Sequence, residues 1–341
     1  LTRYDGITAD TKFSVDRGLH ESAFDLVITT ATPGATIRYT NDGTPPTETT
    51  GEIYTGPISI DRTTVIRALA FAQGFRPTNV DTHSYIFPSD VVTQPAMRTA
   101  ITEDPEYGPK MIEALTSIPT LSISFVGNNI NYAPTNPPPG APPETPVSVE
   151  LLNFESGAKQ IDAGAERFGG EYTQFAKRSL RLQFRSIYGP KRLNYPLFDG
   201  HDYSGIPPVS NFDALDVRAG NHDMVARGAY MSNRFADDSL LDMGHVAPHG
   251  RFVHVYFNGE YRGQYHLRER WAAAMLASYL PGSEEEFDTI TGKNSGDQFQ
   301  TGDSQNGDLT DWREIQTRLA GPTPYKSTRD FIDVPDYIDF M

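Results

Sequence analysis

Hydrophobic and polar residues alternate in short runs through the first quarter of the chain. The runs cover residues 24–30, 36–40, 53–60, 63–71 and 84–87. They are separated by residues that favour tight turns, namely Pro33-Gly34, Asn41-Asp42-Gly43, Gly56-Pro57 and Gly74. Short alternating strands at this spacing predict an immunoglobulin-like β-sandwich.

A linker with a short helix around 107–115 and a strand at 120–125 then leads into a second region. Residues 134–146 contain seven prolines, which favours an extended surface loop between two strands, with a ligand for a proline-binding domain as the alternative. A strand from 148, a glycine-rich turn at 164–170 and a long strand at 179–187 follow. On that last strand Leu180, Leu182 and Phe184 share one face, and basic residues occupy the other.

The third part of the pattern combines a helix with a hairpin. Apolar residues at helical spacing, among them Tyr230, Met231 and Phe235, predict a helix from about 225 to 243. Two strands, 251–257 and 263–269, flank Asn258-Gly259, a strong signal for a hairpin turn. The first of these strands is apolar on both faces apart from His254, which places it centrally in a sheet.

Composition and length limit the expected partners, chemistry and domain number. The 44 acidic and 29 basic residues give a formal charge of −15, so nucleic acid is not an expected partner. Cysteine is absent, which excludes disulfides and thiol chemistry. A length of 341 residues predicts two domains. There is no apolar run long enough to span a membrane, and Leu at position 1 indicates a trimmed chain, which is compatible with secretion.

The first domain resembles a known module. Residues 31–75, ATPGATIRYTNDGTPPTETTGEIYTGPISIDRTTVIRALAFAQGF, contain in order the A-x-I-x-Y-T-x-D-G-x-x-P-T, Y-x-x-P-I and T-x-x-R-A stretches of chitobiase/β-hexosaminidase C-terminal modules. The segment from Tyr39 to Asp42-Gly43 is expected to form a structural hairpin rather than a ligand site. Modules of this kind accompany enzymes.

The second domain resembles the CotH (spore coat protein H-like) atypical kinases. The segments that carry this resemblance are 163–198, 215–244 and 252–271, of which FVHVYFNGEYRGQYHLRERW is the most distinctive. The pair of modules is similar to large surface proteins of planctomycete and verrucomicrobial bacteria. The expected fold is therefore α+β: a sandwich at 13–88, a linker with a short helix at 89–118, and the N-terminal portion of a kinase-fold domain at 119–341.

The resemblance implies a nucleotide site. It places Lys177 against ATP phosphates, Asp237 or Asp238 as the acidic partner of that lysine, and Glu269 at the hinge that accepts adenine. Arg181 belongs to a basic stretch without acids between 175 and 192, which could hold phosphate oxygens or form a solvated strand face. Glu171 stands where family members often carry serine, which disfavours nucleotide binding.

The catalytic loop is expected beyond Met341, so no catalytic residue is assigned, and no metal ligand is assigned either. The resemblance implies ATP with Mg²⁺ or Mn²⁺ and phosphate transfer to protein Ser or Thr in a secreted or cell-surface bacterial protein. The alternative is a structural or adhesive protein whose sandwich is a spacer or a polysaccharide-binding unit. Expected partners are surface or coat proteins and cell-wall or matrix polysaccharide.

Two further metal hypotheses stay open. His245, His249 and His254, with Asp242, could suggest zinc, but the glycines and proline between them favour a loop. The acidic stretch 284–288 is a candidate turn that could bind structural Ca²⁺. The pairs His201-Asp202 and His222-Asp223 are also candidates for active-site loops.

Overall fold

A computed structural model gives the fold. It describes residues 4–127, 130, 144–168, 177–200, 205–221, 223–224, 228–291, 303–329 and 331–333. Contacts divide the chain into a first unit (Leu1–Arg167, Leu180–Lys191 and Phe252–Tyr265) and a second unit (Phe168–Ser179, Arg192–Arg251 and His266–Met341). The predicted domain limits stay predictions. Several predicted features lie outside the described residues, namely most of the proline-rich loop, Gly169-Gly170-Glu171, His201-Asp202, His222 and residues 334–341 of the last helix.

The first unit begins with a sandwich of short strands. Their bounds are β1 (Gly6–Ile7), β2 (Thr11–Phe13), β3 (Gly18–Leu19), β4 (Phe24–Leu26), β5 (Ile28–Thr30), β6 (Thr36–Thr40), β7 (Glu52–Ile53), β8 (Ile58–Ile60), β9 (Thr64–Phe71), β10 (Phe75–Arg76) and β11 (Asp81–Ile86). The main sheet has the order β3-β11-β9-β6-β7, and β2 pairs with β5 and β4 with β8. Leu26, Ile28, Ile37, Ile60 and Tyr85 form its buried core. The predicted sandwich is confirmed.

Short helices connect the sandwich to the next strands. They are α1 (Pro88–Val91), α2 (Thr99–Thr102), a 3-10 turn (Gly108–Lys110) and α3 (Met111–Thr116). Proline opens α1, where its missing N–H has no partner to lose. The predicted helix around 107–115 corresponds to the 3-10 turn and α3.

A second sheet follows within the first unit. The next strands are β12 (Thr120–Ser124), β13 (Thr145–Leu152), β14 (Lys159–Phe168), β15 (Ser179–Gln183), β16 (Leu193–Asn194), β17 (Asn211–Phe212), β18 (Ala214–Arg218), β19 (Gly250–Phe257) and β20 (Glu260–Glu269). In the first unit the order is β15-β14-β13-β12-β19-β20. β12 is antiparallel to β13, with Thr120 opposite Leu152, and parallel to β19, with Thr120 opposite His254.

The hairpin between β19 and β20 is formed as predicted. Asn258 and Gly259 have φ angles of 47° and 83°, the left-handed pair that a two-residue hairpin needs. The Asn258 side chain also accepts the Phe125 N–H at 2.9 Å and donates to the Phe125 carbonyl at 3.0 Å. It therefore continues the pairing of β12 beyond the strand end.

The second unit contains the last part of β20, which pairs antiparallel with β18, and the pair β16–β17. Its other elements are α4 (Ser232–Asp242), α5 (Ala273–Tyr279), a 3-10 turn (Glu284–Glu286), β21 (Thr289–Thr291), β22 (Asp303–Asn306), α6 (Thr310–Leu319) and α7 (Pro324–Thr328). The acidic turn at 284–286 is closed by a capping box between Ser283 and Glu286.

Helix α4 departs from the predicted pattern. It begins at Ser232, after Gly228 adopts a left-handed φ of 67°, so Tyr230 lies before it. Its buried residues are Arg234, Asp237 and Leu241, whereas Phe235 is 74 % exposed. The apolar stripe expected from the sequence is thus replaced by a buried ionic face.

Candidate functional site

Lys177 lies two residues before β15, next to the side chain of Tyr230. Its Nζ donates a hydrogen bond to the Tyr230 hydroxyl at 3.2 Å and lies 4.9 Å from the centre of the tyrosine ring. Burial lowers the pKa of Lys177 to about 8. The ammonium is therefore charged at pH 7 in surroundings that disfavour its charge, which is the condition under which an anion binds it most favourably.

The segment after β18 holds this lysine in place. The Asn221 side chain donates to the Lys177 carbonyl, and the Ser179 hydroxyl accepts the Ala219 N–H at 3.0 Å. Gly220 has a left-handed φ of 73°, and a Cβ at this position would collide with the Tyr230 ring. A glycine is therefore needed to seat the tyrosine that contacts Lys177.

Glu269, the predicted hinge residue, is 2 % exposed and belongs to a buried hydrogen-bond network. Its carboxylate accepts the His249 backbone N–H at 2.8 Å and the Tyr279 hydroxyl at 2.8 Å, and lies 3.2 Å from His249 Nδ1. Its own N–H donates to the His249 carbonyl at 3.0 Å. The side chain therefore ties the end of β20 to the start of β19 and to α5.

The other members of this network are equally enclosed. His249 is 0 % exposed and its Nε2 lies 2.8 Å from the Ile206 carbonyl, so the ring nitrogen facing that carbonyl carries the proton. The Tyr279 hydroxyl accepts the Val209 N–H at 3.2 Å. Burial, reinforced by the Glu269 charge, raises the pKa of Tyr279, so it stays a neutral donor.

Asp237 and Asp238, the predicted acidic partners, form ion pairs with arginines. Asp237 lies 3.0 Å from Arg268 and 4.0 Å from Arg234, and Asp238 lies 2.5 Å from Arg234. Arg234 also donates to the Pro248 carbonyl at 3.1 Å. The negative charge of each carboxylate is therefore balanced by an arginine of α4 or β20. The role of Asp237 or Asp238 as the partner of Lys177 stays a prediction.

His266 lies inside the same cluster, where the neutral form of its ring is favoured. It is 4 % exposed, and its Nε2 is 3.4 Å from an Arg234 nitrogen. Burial and the neighbouring arginine charges lower the pKa of His266 well below its ordinary value. The neutral ring is thus available as an acceptor for Arg234.

Two arginines of the basic stretch between 175 and 192 face acidic side chains. Arg185 binds Glu144 at 2.9 Å and Arg181 lies 4.0 Å from Glu166, all within the first unit. Arg181 is partly buried, with 19 % of its side chain exposed. Its phosphate-binding role stays a prediction, and Glu166 would compete with a phosphate for it.

The structure gives the predicted site residues different partners: Lys177 contacts Tyr230, Glu269 contacts His249 and Tyr279, Asp237 and Asp238 pair with Arg234 and Arg268, and Arg181 faces Glu166. Sequence reasoning missed Tyr230, Gly220 and Tyr279. Gly220-Asn221 directly after a strand was the available signal for a special backbone position. Nothing local marked Tyr279, since its partners lie 10 and 30 residues away.

Two of the histidines considered for zinc, His249 and His254, hydrogen-bond to other groups. His254 contacts the Tyr261 hydroxyl at 2.9 Å and the Ala114 carbonyl at 2.8 Å, and His249 belongs to the Glu269 network. Within the described ranges, no three His, Asp or Glu side chains converge on a point where they could hold a metal ion.

Comparison with known families gives two matches. Residues 16–82 match the family described as chitobiase/beta-hexosaminidase C-terminal domain, and residues 166–341 match the family described as CotH kinase protein. The second match covers just over half of the chain. No curated protein shows significant similarity to it. Both families expected from the sequence are confirmed, as is the order in which they occur.

Proposed function

The chain belongs to the CotH kinase protein family, and we propose that its kinase-fold domain, in the complete protein, transfers phosphate from ATP to Ser or Thr side chains of surface or coat proteins. The observation that carries this proposal is the half-buried ammonium of Lys177 on the Tyr230 ring and hydroxyl. Phosphoryl transfer requires positioned positive charge on the phosphate oxygens more than it requires covalent chemistry from the protein.

ATP fits the character of this site. A phosphate oxygen near Nζ would compensate a charge that burial now disfavours, so binding would raise the pKa of Lys177 from about 8. Tyr230 would keep the ammonium oriented, and Gly220 would keep Tyr230 in place. ATP supplies the phosphoryl group, and the residues named here bind and orient its phosphates.

The remaining predicted residues support the site indirectly. Glu269 fixes the end of β20, so any adenine-accepting backbone group would follow it in the chain. Among the described residues, no three His, Asp or Glu side chains form a ready-made site for the expected Mg²⁺ or Mn²⁺.

The same two families support a proposal for the location. Both domains suggest a coat or surface protein. Among the described residues, no helix is both long and apolar enough to cross a bilayer. We propose export to the cell surface, where coat proteins and wall or matrix polysaccharide are the available partners.

The test is nucleotide binding and autophosphorylation by the complete protein. ATP with Mg²⁺ or Mn²⁺ should raise the unfolding temperature, since a ligand at 100 times its Kd stabilises by about 2.7 kcal/mol. Lys177→Met should abolish the shift and the phosphate incorporation, whereas Tyr230→Phe should weaken both because only the hydroxyl is lost. Lys191→Met makes the same change at an exposed lysine and should leave both intact.

A second candidate is a non-catalytic structural protein. It is favoured by the observation that Asp237 and Asp238 are already neutralised by arginines and so resemble a structural ionic cluster. It predicts no ATP-dependent thermal shift and no phosphate incorporation in the complete protein with either metal. An unchanged response in Lys177→Met would also exclude the proposed site.

A further inference from the structure

The sandwich and the second sheet share one apolar core within the first unit. Ile86 at the end of β11, Val91 of α1, Leu115 of α3, Leu152 of β13 and Tyr256 of β19 form a cluster in which every member is at most 1 % exposed. Residues from both sides are thus needed to exclude water from it. We call this contact, between residues 6–94 and strands β12–β14, β19 and β20, the joint.

A buried polar layer lies beside that core. Glu150 of β13 is 0 % exposed, accepts the Ser84 N–H at 3.0 Å and is hydrogen-bonded by the Ser84 hydroxyl. The Ser84 and Ser122 hydroxyls are 2.7 Å apart, and an Arg17 nitrogen lies 3.4 Å from the Glu150 carboxylate. Arg17 and Ser84 belong to the sandwich, so the hydrogen-bond donors and the nearest positive charge of Glu150 come from across the joint.

Two glutamines add backbone pairing across the joint. The Gln160 side chain of β14 accepts the Thr82 N–H at 2.8 Å and donates to the Val80 carbonyl at 3.0 Å. The Gln94 side chain donates to the Gly259 carbonyl at 3.0 Å and accepts the Tyr261 N–H at 2.9 Å. Each amide satisfies one donor and one acceptor of the opposite side, which fixes the register of the contact.

The turns that carry the two family motifs also meet here. Gly43 of the Asn41-Asp42-Gly43 turn has a left-handed φ of 83°, and a Cβ on it would collide with the Asn258 side chain of the β19–β20 hairpin. The Gly43 carbonyl accepts an Arg67 N–H at 2.9 Å, and Arg67 is 7 % exposed. The motif turn of the sandwich is therefore occupied by a contact within the chain.

We propose that the sandwich is a permanent structural part of the kinase-fold domain, docked through its motif turn and last strand, and is not a separately moving spacer or glycan-binding head. Contacts between domains of one chain permit relative motion by default unless they are large and apolar. This contact combines a shared apolar core with directional hydrogen bonds to buried groups. The proposal does not depend on phosphate transfer.

Hydrogen exchange in the full chain tests the proposal. Ile28→Val removes one methylene from the sandwich core, where Ile28 is 2 % exposed, and should speed exchange of the protected β9 amides about two- to tenfold. If the sandwich and the second sheet unfold together, the protected amides of β13 should speed up by the same factor. Val27→Ala changes the neighbouring residue, which is 37 % exposed, and should leave both strands unchanged. Faster exchange in β9 with unchanged exchange in β13 would overturn the proposal.

A nicked chain gives a second, independent readout. A protease site placed within 103–107, a largely exposed connection between α2 and α3, allows the covalent link to be cut. The two pieces should still elute as one particle and unfold in one transition, and pieces that separate at micromolar concentration would contradict permanent docking. A Gly43→Val change should weaken the association of the two pieces. It should not alter any binding of the full chain to chitin or wall polysaccharide. Loss of polysaccharide retention in that variant would instead identify the turn as a glycan site and refute the docking role.

Discussion

The most informative single change is Glu150→Gln, because it removes a buried charge while preserving the shape of the side chain. Glu150 is completely buried, and its burial raises the pKa to about 7 despite the nearby Arg17 and the Ser84 hydrogen bonds. Arg67 also faces it and lowers the pKa slightly. At neutral pH the carboxyl is therefore close to half protonated.

The direction and size of the effect follow from proton linkage. The folded chain binds this proton more tightly than the unfolded chain, in which the ordinary value is 4.5. The contribution of the Glu150 proton to the free energy of unfolding is fully present below about pH 4.5 and is lost as the pH rises through about 7. A difference of one unit between the folded and unfolded pKa is worth about 1.4 kcal/mol, so the rise of the Glu150 pKa from 4.5 to about 7 corresponds to about 3 kcal/mol.

The assay is urea unfolding at pH values from 5 to 9. Asp81, Asp162 and His83 also have shifted pKa values, but they titrate equally in the wild type and in Glu150→Gln, so the difference between the two curves isolates Glu150. Between pH 5 and pH 8, we expect the free energy of unfolding to fall by about 2.5 kcal/mol less in the variant than in the wild type. An exposed control, Glu113→Gln, should follow the wild type. Parallel curves for the wild type and Glu150→Gln would refute the reasoning.

Further predictions concern the second unit. Lys177 should lose its charge between pH 7 and 9, so ATP binding should weaken over that range, and Lys177→Arg should flatten this pH profile in a thermal-shift titration. Gly220→Val should displace the Tyr230 ring and weaken ATP binding as much as the loss of the tyrosine itself, measured in the same titration. Tyr279→Phe should destabilise the second unit by about 1–3 kcal/mol, because it leaves buried groups without their partner, as followed by tryptophan fluorescence in urea. Asp237→Asn should cost about 3–5 kcal/mol by the same measurement, because it removes the carboxylate that lies 3.0 Å from the buried Arg268.

The parts of the fold that local chemistry determines could be predicted from the sequence. The hairpin at Asn258-Gly259 depends on two residues that tolerate positive φ, and both adopt it. The strands of the sandwich were recognisable for the same reason, since alternation and turn residues mark them within a few positions. Family resemblance added the order of the two domains.

The candidate site was harder to predict because its contacts join distant residues. Tyr230 was assigned to a helix by its apolar spacing, but the left-handed Gly228 ends that pattern before α4 begins at Ser232. Its partner Lys177 is 53 residues away. Helix α4 is a second example. Its sequence pattern suggests that the charged residues Arg234 and Asp237 lie on the surface, and only the fold shows that Asp237 pairs with both Arg234 and Arg268.

The face of β13 that meets the sandwich explains why the joint could not be recognised from the pattern. Ser148 and Glu150 alternate with Val149 and Leu151, a period that predicts one buried face and one face toward water. Both faces are buried, and Ser148 and Glu150 are each 0 % exposed. A polar strand face that is docked through hydrogen bonds has the same sequence pattern as one that is solvated, because donors from a partner replace water one for one. For Glu150 those donors lie 66 residues earlier in the chain, so only the folded arrangement distinguishes a docked sandwich from a tethered one.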